Sequence, residues 1–189
     1  MNKWMKRIAG VAAGALLLGL AADVSAERIG WVNHNSRSGN SYVYVETTDN
    51  PKYVEYTNGR YGFTAYVPVL LNRAGMPTNG DGCSFDDGGN AKLTVSGSHN
   101  FNDTAYSRYQ ERLRQHPYAP YHDYGDEWYV ISWESDGVIY YEKGFVSDEY
   151  VNTLRYAYRK NLRAVYEPFI ETLEANFVPG WQTGNKIWG

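Results

Sequence analysis

Cysteine is almost missing from this 189-residue chain, with Cys83 standing alone. A single thiol cannot close an internal disulfide, so the fold must rest on its core. Metal-ligand spacing is also missing. His34, His99, His116 and His122 are scattered and have no cysteine partners, so a zinc site would have to be assembled entirely by the fold. Asp81, Asp86, Asp87 and Asn90 offer oxygens but not in the order of an EF-hand loop, and turn formation accounts for all four. There is no G-x-S-x-G and no phosphate-cradling glycine loop before a helix. Acidic pairs such as Glu127 with Glu134, or Asp148 with Glu149, have no spacing that marks a glycosidase. No catalytic, cofactor-binding or metal-ligating residue can therefore be assigned from spacing, and no cofactor is expected.

Basic charge is in short supply, with 18 Lys and Arg against 21 Asp and Glu and a formal net charge of −3. That balance argues against nucleic acid and anionic membrane surfaces, which are bound through basic patches. Long apolar runs are rare as well. The longest covers residues 8–22, about 15 residues where a membrane span needs roughly 20. It follows Lys3, Lys6 and Arg7 and precedes Val24-Ser25-Ala26, the three-part anatomy of a secretory signal peptide over residues 1–26. No cysteine follows the cleavage site, so a lipid anchor is not expected. The mature chain from Glu27 would have 163 residues and, without three basic residues and Asp23, a net charge of −5. It should be a single domain, exported to the periplasm or beyond the cell, with no stable membrane insertion after cleavage.

Tyrosine is abundant, 18 residues against 6 phenylalanines. It suits half-buried sheet faces, where the ring packs and the hydroxyl reaches water. A flat exposed row of such rings would instead be a stacking platform for a glycan.

The chain is centred on residues 58–99. Runs rich in β-branched or aromatic residues at 61–67, 82–85 and 91–96 alternate with Gly, Asn, Asp and Pro, the pattern of strand, loop, strand, turn and strand. Cys83 shares a strand face with Phe85, which makes it a buried thiol rather than one that pairs between chains. Ahead of this core, residues 27–56 form an extension in which 42–45 and 53–56 make a peripheral hairpin, and Trp31 pins the chain. A helix over 104–115 is capped by Asn102 or Asp103 and ended by Pro117. The stretch 117–126 is an extended connection. Strands at 127–134, 138–146 and 150–158 follow, the first two joined by Ser135-Asp136-Gly137. A closing helix over 159–177 carries Leu162, Val165, Tyr166, Phe169, Ile170, Leu173 and Phe177 on one apolar stripe, interrupted by Pro168. Pro168 either kinks this helix or starts a separate one. Residues 181–189 are a tail containing Trp181 and Trp188. The whole reads as an α+β domain, a central antiparallel sheet of six or seven strands with two helices against it.

Several of these runs are familiar together. Asn58 to Pro68 (N-x-R-Y-G-F-x-x-x-V-P), Asn79 to Phe85 (N-G-D-G-x-x-F) and Ala91 to Gly97 (A-x-L-x-V-x-G) resemble a set of small secreted bacterial proteins with a PsbP-like fold. Trp128 to Trp133 (WYVISW), Leu154 to Tyr158 (LRYAY) and Tyr166 to Phe177 (YEPFIETLEANF) extend the likeness, which spans residues 57–180. The resemblance implies an antiparallel sheet with helices on its faces and a binding or assembly role, and it carries over no site residues. The expected function is that of an exported, non-catalytic binding or accessory protein of the cell envelope or extracellular space. Its partner would be an envelope protein, a glycan or a small molecule. Two other classes fit the same residues. One is an envelope-polymer hydrolase using His99 with a nearby carboxylate or serine, and the other a glycan-binding module stacking sugars on exposed tyrosines and Trp133.

Overall fold

The computed structural model describes residues 28–33 and 41–184, without the side chains of residues 28, 29, 31–33, 41 and 42. The expected signal peptide, His34, the side chain of Trp31 and Trp188 lie outside the described residues.

Among the described residues eleven strands form the sheet: β1 (Arg28–Asn33), β2 (Ser41–Thr47), β3 (Tyr53–Thr57), β4 (Thr64–Pro68), β5 (Arg73–Gly75), β6 (Gly82–Asp86), β7 (Ala91–His99), β8 (Tyr121–Tyr124), β9 (Trp128–Ser135), β10 (Val138–Val146) and β11 (Tyr150–Arg159). Seven of them run antiparallel throughout, in the spatial order β5-β6-β7-β11-β10-β9-β8. The group β4-β3-β2, continued by β1, attaches to this sheet through one parallel pair, Asn33 with Ala74. The fold is α+β, as the alternation of the sequence predicts.

Local chemistry explains where the elements depart from their expected bounds. β4 begins at Thr64 rather than at Tyr61, because the buried Asn58 Oδ1 accepts from the N–H groups of Arg60 and Tyr61 and bends the chain there. Gly62 completes that bend at φ 70°, in the left-handed region. β5 lies inside a stretch read as loop, and β8 pairs along the edge of β9 inside the Pro- and Tyr-rich connection. The β2–β3 hairpin is not peripheral, because Val43, Val45, Val54 and Tyr56 are buried in the main core with Phe63 and Phe85. Helix α1 (Ala105–Gln115) is capped one or two residues later than expected, by Thr104. Thr104 Oγ1 accepts from the Ser107 N–H while Ser107 Oγ accepts from the Thr104 N–H, a reciprocal capping box.

The closing helix is broken. A 3₁₀ turn (Lys160–Leu162) leads into α2 (Arg163–Tyr166), a second 3₁₀ turn (Glu167–Phe169) holds Pro168, and α3 (Ile170–Ala175) follows. Proline has no N–H to continue the α ladder, so the tighter turn sits where it occurs. The changed winding rotates Val165 out of the apolar stripe and leaves it 51 % exposed, while Tyr166, Ile170, Leu173 and Phe177 stay buried. The tail contributes a short helix, α4 (Gly180–Thr183), between Pro179 and a left-handed Gly184. Among the described residues no helix is long and apolar enough to cross a membrane.

Two cores lie on opposite faces of the sheet. Ile139 and Tyr141 of β10 face the α2–α3 segment and join the main core, whereas Val146, offset by an odd number of residues, faces α1 with Ala105, Tyr109, Tyr129 and Val151. Tyrosine is a core residue here more than a surface one. Tyr129, Tyr141, Tyr156 and Tyr158 are among the largest fully buried side chains. Cys83 is buried beside Phe85, and burial pushes its thiol up to about 12. A thiol reagent is therefore expected to label it slowly in the folded protein and rapidly in denaturant, because the thiolate is both inaccessible and disfavoured. Equal rates in the two states would show that this thiol is open to solvent.

Candidate ligand-binding face

Strand register sets out the α1 side of the sheet in rows. Running from β9 through β10, β11, β7 and β6 to β5, one row reads Trp133, Tyr140, Ala157, Lys92, Asp86 and Arg73. The next reads Ile131, Glu142, Arg155, Thr94, Ser84 and Gly75, and a third Tyr129, Gly144, Thr153, Ser96 and Gly82. Helix α1 packs on β8, β9 and β10 and covers the first part of each row. The part over β11, β7 and β6 carries polar side chains. Among the described residues, the side chains of Thr94, Ser96, Thr153, Ser98 and Lys92 make no hydrogen bond or ion pair with the protein.

At the margin of α1 sits a fully buried carboxylate. Glu142 accepts from Arg112 Nε at 2.7 Å, from the Tyr129 hydroxyl at 2.8 Å and from Arg155 Nε at 2.7 Å. Each partner comes from a different element, α1, β9 and β11, so the cluster ties helix to sheet. Gly144 makes it possible, because a Cβ there would run into the Tyr129 ring that lies across it. Burial and then the adjacent carboxylate push the Tyr129 phenol above its ordinary value, so it stays a donor. Burial opposes the Arg112 cation, but Glu142 and the Tyr129 hydroxyl outweigh it and hold its pKa above the ordinary value. With two guanidinium groups on one carboxylate, the cluster has a net positive charge, and its outer cation, Arg155, is 41 % exposed toward the uncovered face.

Above this row Trp133 is sandwiched. His116 stacks on one face at 3.9 Å between centroids and Tyr140 on the other at 5.0 Å, with the Arg155 guanidinium 5.9 Å from the ring. Burial, and then the nearby Arg112, lowers the His116 pKa and so favours the neutral form of the stacked ring. Both faces of Trp133 are occupied, so it is not the open stacking surface that a glycan module would need.

Beyond Tyr140 the face deepens into a groove of about 1220 Å³ between the β6–β7 turn and the β9–β10 turn. Its charged lining is Arg73, Lys92, Arg159 and Lys160 with Asp86 and Asp136. Lys160 pairs with Glu134 at 2.7 Å and Arg73 with Asp86 at 3.7 Å. Arg159 donates to the Gly89 carbonyl at 3.1 Å and has no carboxylate partner among the described residues. The opposite end of the strands is acidic, where Asp103, Asp126, Glu127, Asp148 and Glu149 surround a hollow of about 460 Å³. The overall acidic balance of the chain thus conceals a separation of charge along the strands.

The residues singled out from sequence do not converge. His99 lies against the rings of Tyr61 and Tyr150, and among the described residues it has no hydrogen bond to a serine or carboxylate. His122 shares a hydrogen bond with the Tyr109 hydroxyl at 2.7 Å, on the far side of α1 from the groove. No group of His, Cys, Asp or Glu among the described residues could hold a metal ion. Asp81 pairs with Arg60 at 2.6 Å. Asp87 shapes the β6–β7 turn, accepting from the N–H groups of Gly89, Asn90 and Ala91 and from the Tyr166 hydroxyl. Burial alone would raise its pKa, but these donors bring it down to about 2. Glu142, Arg155 and Lys92 escape sequence reading because they stand in ordinary strand runs, and only the register brings them together. One signal was legible: Glu142 in the middle of an aromatic, β-branched strand run, a place where a carboxylate is unusual unless it pairs. No family model and no curated protein matches the chain.

Proposed function

We propose that the chain is an exported, non-catalytic binding or accessory protein of the cell envelope or extracellular space, with a PsbP-like arrangement of sheet and helices. Its ligand lies on the half of the sheet that α1 leaves uncovered. The observation that carries this reading is the hydroxyls of Thr94, Ser96 and Thr153, unpartnered among the described residues, beside Lys92 and Arg155 on the floor formed by β7 and β11. Strand-borne groups are held more firmly than loop-borne ones, which lowers the entropy lost on binding. The groove is large enough for a ligand of several rings, since small-molecule sites span roughly 300 to 1,000 Å³. Export rests on the composition of residues 1–26.

The test is co-sedimentation of the mature protein with isolated envelope polymer. Wild type and Glu171→Trp, altered on the exposed side of α3, are expected to sediment alike. Thr94→Trp fills the uncovered face with a residue that strands accept and should lose most of the binding. Equal retention of Thr94→Trp would remove this face as the site, and release of soluble fragments would replace the non-catalytic reading with a hydrolytic one. Mass spectrometry of the secreted chain should find Glu27 as its first residue, and intact residues 1–26 would remove the export reading.

A further inference from the structure

We infer that the ligand is a polyanionic glycan, gripped through its carboxylates or phosphates by Arg155, Lys92 and Arg159. This rests on the uncovered half of the sheet being the ligand site. Arg155 and Arg159 lie on the same face of β11, four residues and therefore about 13 Å apart at the usual strand rise. Lys92 stands between them on β7, opposite Ala157, one row from each. The three cations form a zigzag with a charge about every 7 Å along the strand direction. Units of an acidic sugar or a phosphodiester-linked polyol repeat their negative charge at spacings of that order.

Among the described residues, the three carry more positive charge than the carboxylates paired with them offset. Lys92 and Arg159 have no ion pair among the described residues, and Arg155 shares one carboxylate with Arg112. Asp86, the cross-strand neighbour of Lys92, is turned to the Gly88 N–H and to Arg73. Lys92 and Arg159 line one groove, with Arg155 on the face beside it, and a cleft lined by one sign of unpaired charge focuses a field that attracts an anion. The acidic hollow at the other end of the strands repels the same anion, which biases the chain toward the basic end and along one direction.

The neighbouring rows supply hydroxyls. Thr94, Thr153 and Ser96 continue the face past Arg155, and a ligand rich in hydroxyls can satisfy them where an inorganic ion cannot. A glycan fits better than a nucleic acid for two reasons. Nucleic acid binding without sequence preference relies on exposed aromatic rings for base stacking. The rings nearest this face, Trp133 and Tyr140, are already stacked on one another.

The inference is tested by calorimetry with four probes of similar length: a galacturonate oligomer, a glycerol-phosphate oligomer, a neutral glucose oligomer and a single-stranded DNA oligonucleotide. At least one of the two acidic oligomers is expected to bind, and which one does identifies carboxylate or phosphate as the recognised group. Its affinity should fall steeply with salt, because the Debye length shrinks from about 30 Å at 0.01 M to about 3 Å at 1 M. Lys92→Gln with Arg159→Gln should weaken it on the order of tenfold, the combined worth of two exposed charge contacts. Lys52→Gln with Arg114→Gln removes the same charge elsewhere and should leave it unchanged. Ala157→Glu, which puts an acid among the cations without deleting one, should weaken binding as well.

Tight binding of the neutral oligomer, indifferent to salt and to the Lys92 and Arg159 changes, would overturn the anionic class while leaving the uncovered face as the site. DNA bound more tightly than either acidic oligomer would overturn the glycan. If no probe binds, the inference fails, whereas the site itself is judged by the co-sedimentation of Thr94→Trp.

Discussion

Replacing Glu142 with Ala is expected to cost about 3 to 5 kcal/mol of folding stability, the range for breaking one side of a buried ion cluster. The carboxylate is fully buried, while Arg112 and Arg155 keep 24 % and 41 % of their side chains exposed. Both guanidinium groups can reach water when the carboxylate is removed, which draws the loss toward the lower end. The Tyr129 hydroxyl cannot, because it is enclosed beneath α1, and an enclosed donor without an acceptor costs about 1 to 3 kcal/mol by itself. Glu142→Gln keeps the shape but replaces one carboxylate oxygen by an NH₂, which then faces either Arg155 at Oε2 or Arg112 and the Tyr129 hydroxyl at Oε1. Its cost should fall between those of wild type and Ala. Arg155→Ala should cost less than either, since Arg112 still neutralises the carboxylate. Urea melts with a constant slope would measure the series. A neutral Glu142→Ala would mean that α1 is held to the sheet by its apolar contacts alone.

Leu173→Ala should lose about 2 to 5 kcal/mol, as fully buried leucines do when truncated. Ile170→Ala, one turn earlier on α3, should behave alike. Val165→Ala tests the break in the closing helix. A continuous stripe would make it as costly as Leu173→Ala, whereas its exposure in α2 confines the change to roughly 0.5 kcal/mol. The two glutamates of α3 should also differ, although both lie off the stripe. Glu171 is exposed and should tolerate Ala. Glu174 reaches Lys143 at 3.5 Å, both side chains are about 15 % exposed, and burial lowers the lysine pKa. Removing Glu174 leaves that ammonium enclosed without its partner, so Glu174→Ala should be measurably destabilising. Thermal melts in which Val165→Ala matched Leu173→Ala would restore a continuous helix.

Local signals in the sequence carried most of the fold. Asp136-Gly137 marked the β9–β10 turn because φ is positive at both positions, 52° and 73°, and those residues tolerate it. Cys83 and Phe85 were legible as a buried pair because strand alternation is strict. Bounds failed where a side chain overrode the pattern, as at Asn58, which bends the chain before β4, and at Thr104, whose cap wins over two earlier candidates. The hairpin valines looked peripheral because polarity alternates along β2 and β3, yet one buried face is all that a core requires. The candidate site was scarcely legible. Its cations lie on β7 and β11, which are distant in sequence, and an overall count of charge says nothing about where on the surface each sign collects.

The pairing of β7 with β11 also governs the order in which the molecule can assemble. Nine residue pairs join strands separated by residues 100–149, so this ladder closes a long loop, while β8 to β11 can zip together as neighbours. During synthesis β7 emerges well before its partner and offers nine residues of open backbone on that side. The floor of the basic groove and the enclosure of the N-terminal core both wait for Tyr150 onward, and Ile170 and Leu173 arrive later still. Any chain ending short of β11 would present that unpaired edge, flat and rich in Leu93 and Val95, to other chains, the geometry from which intermolecular strand pairing begins.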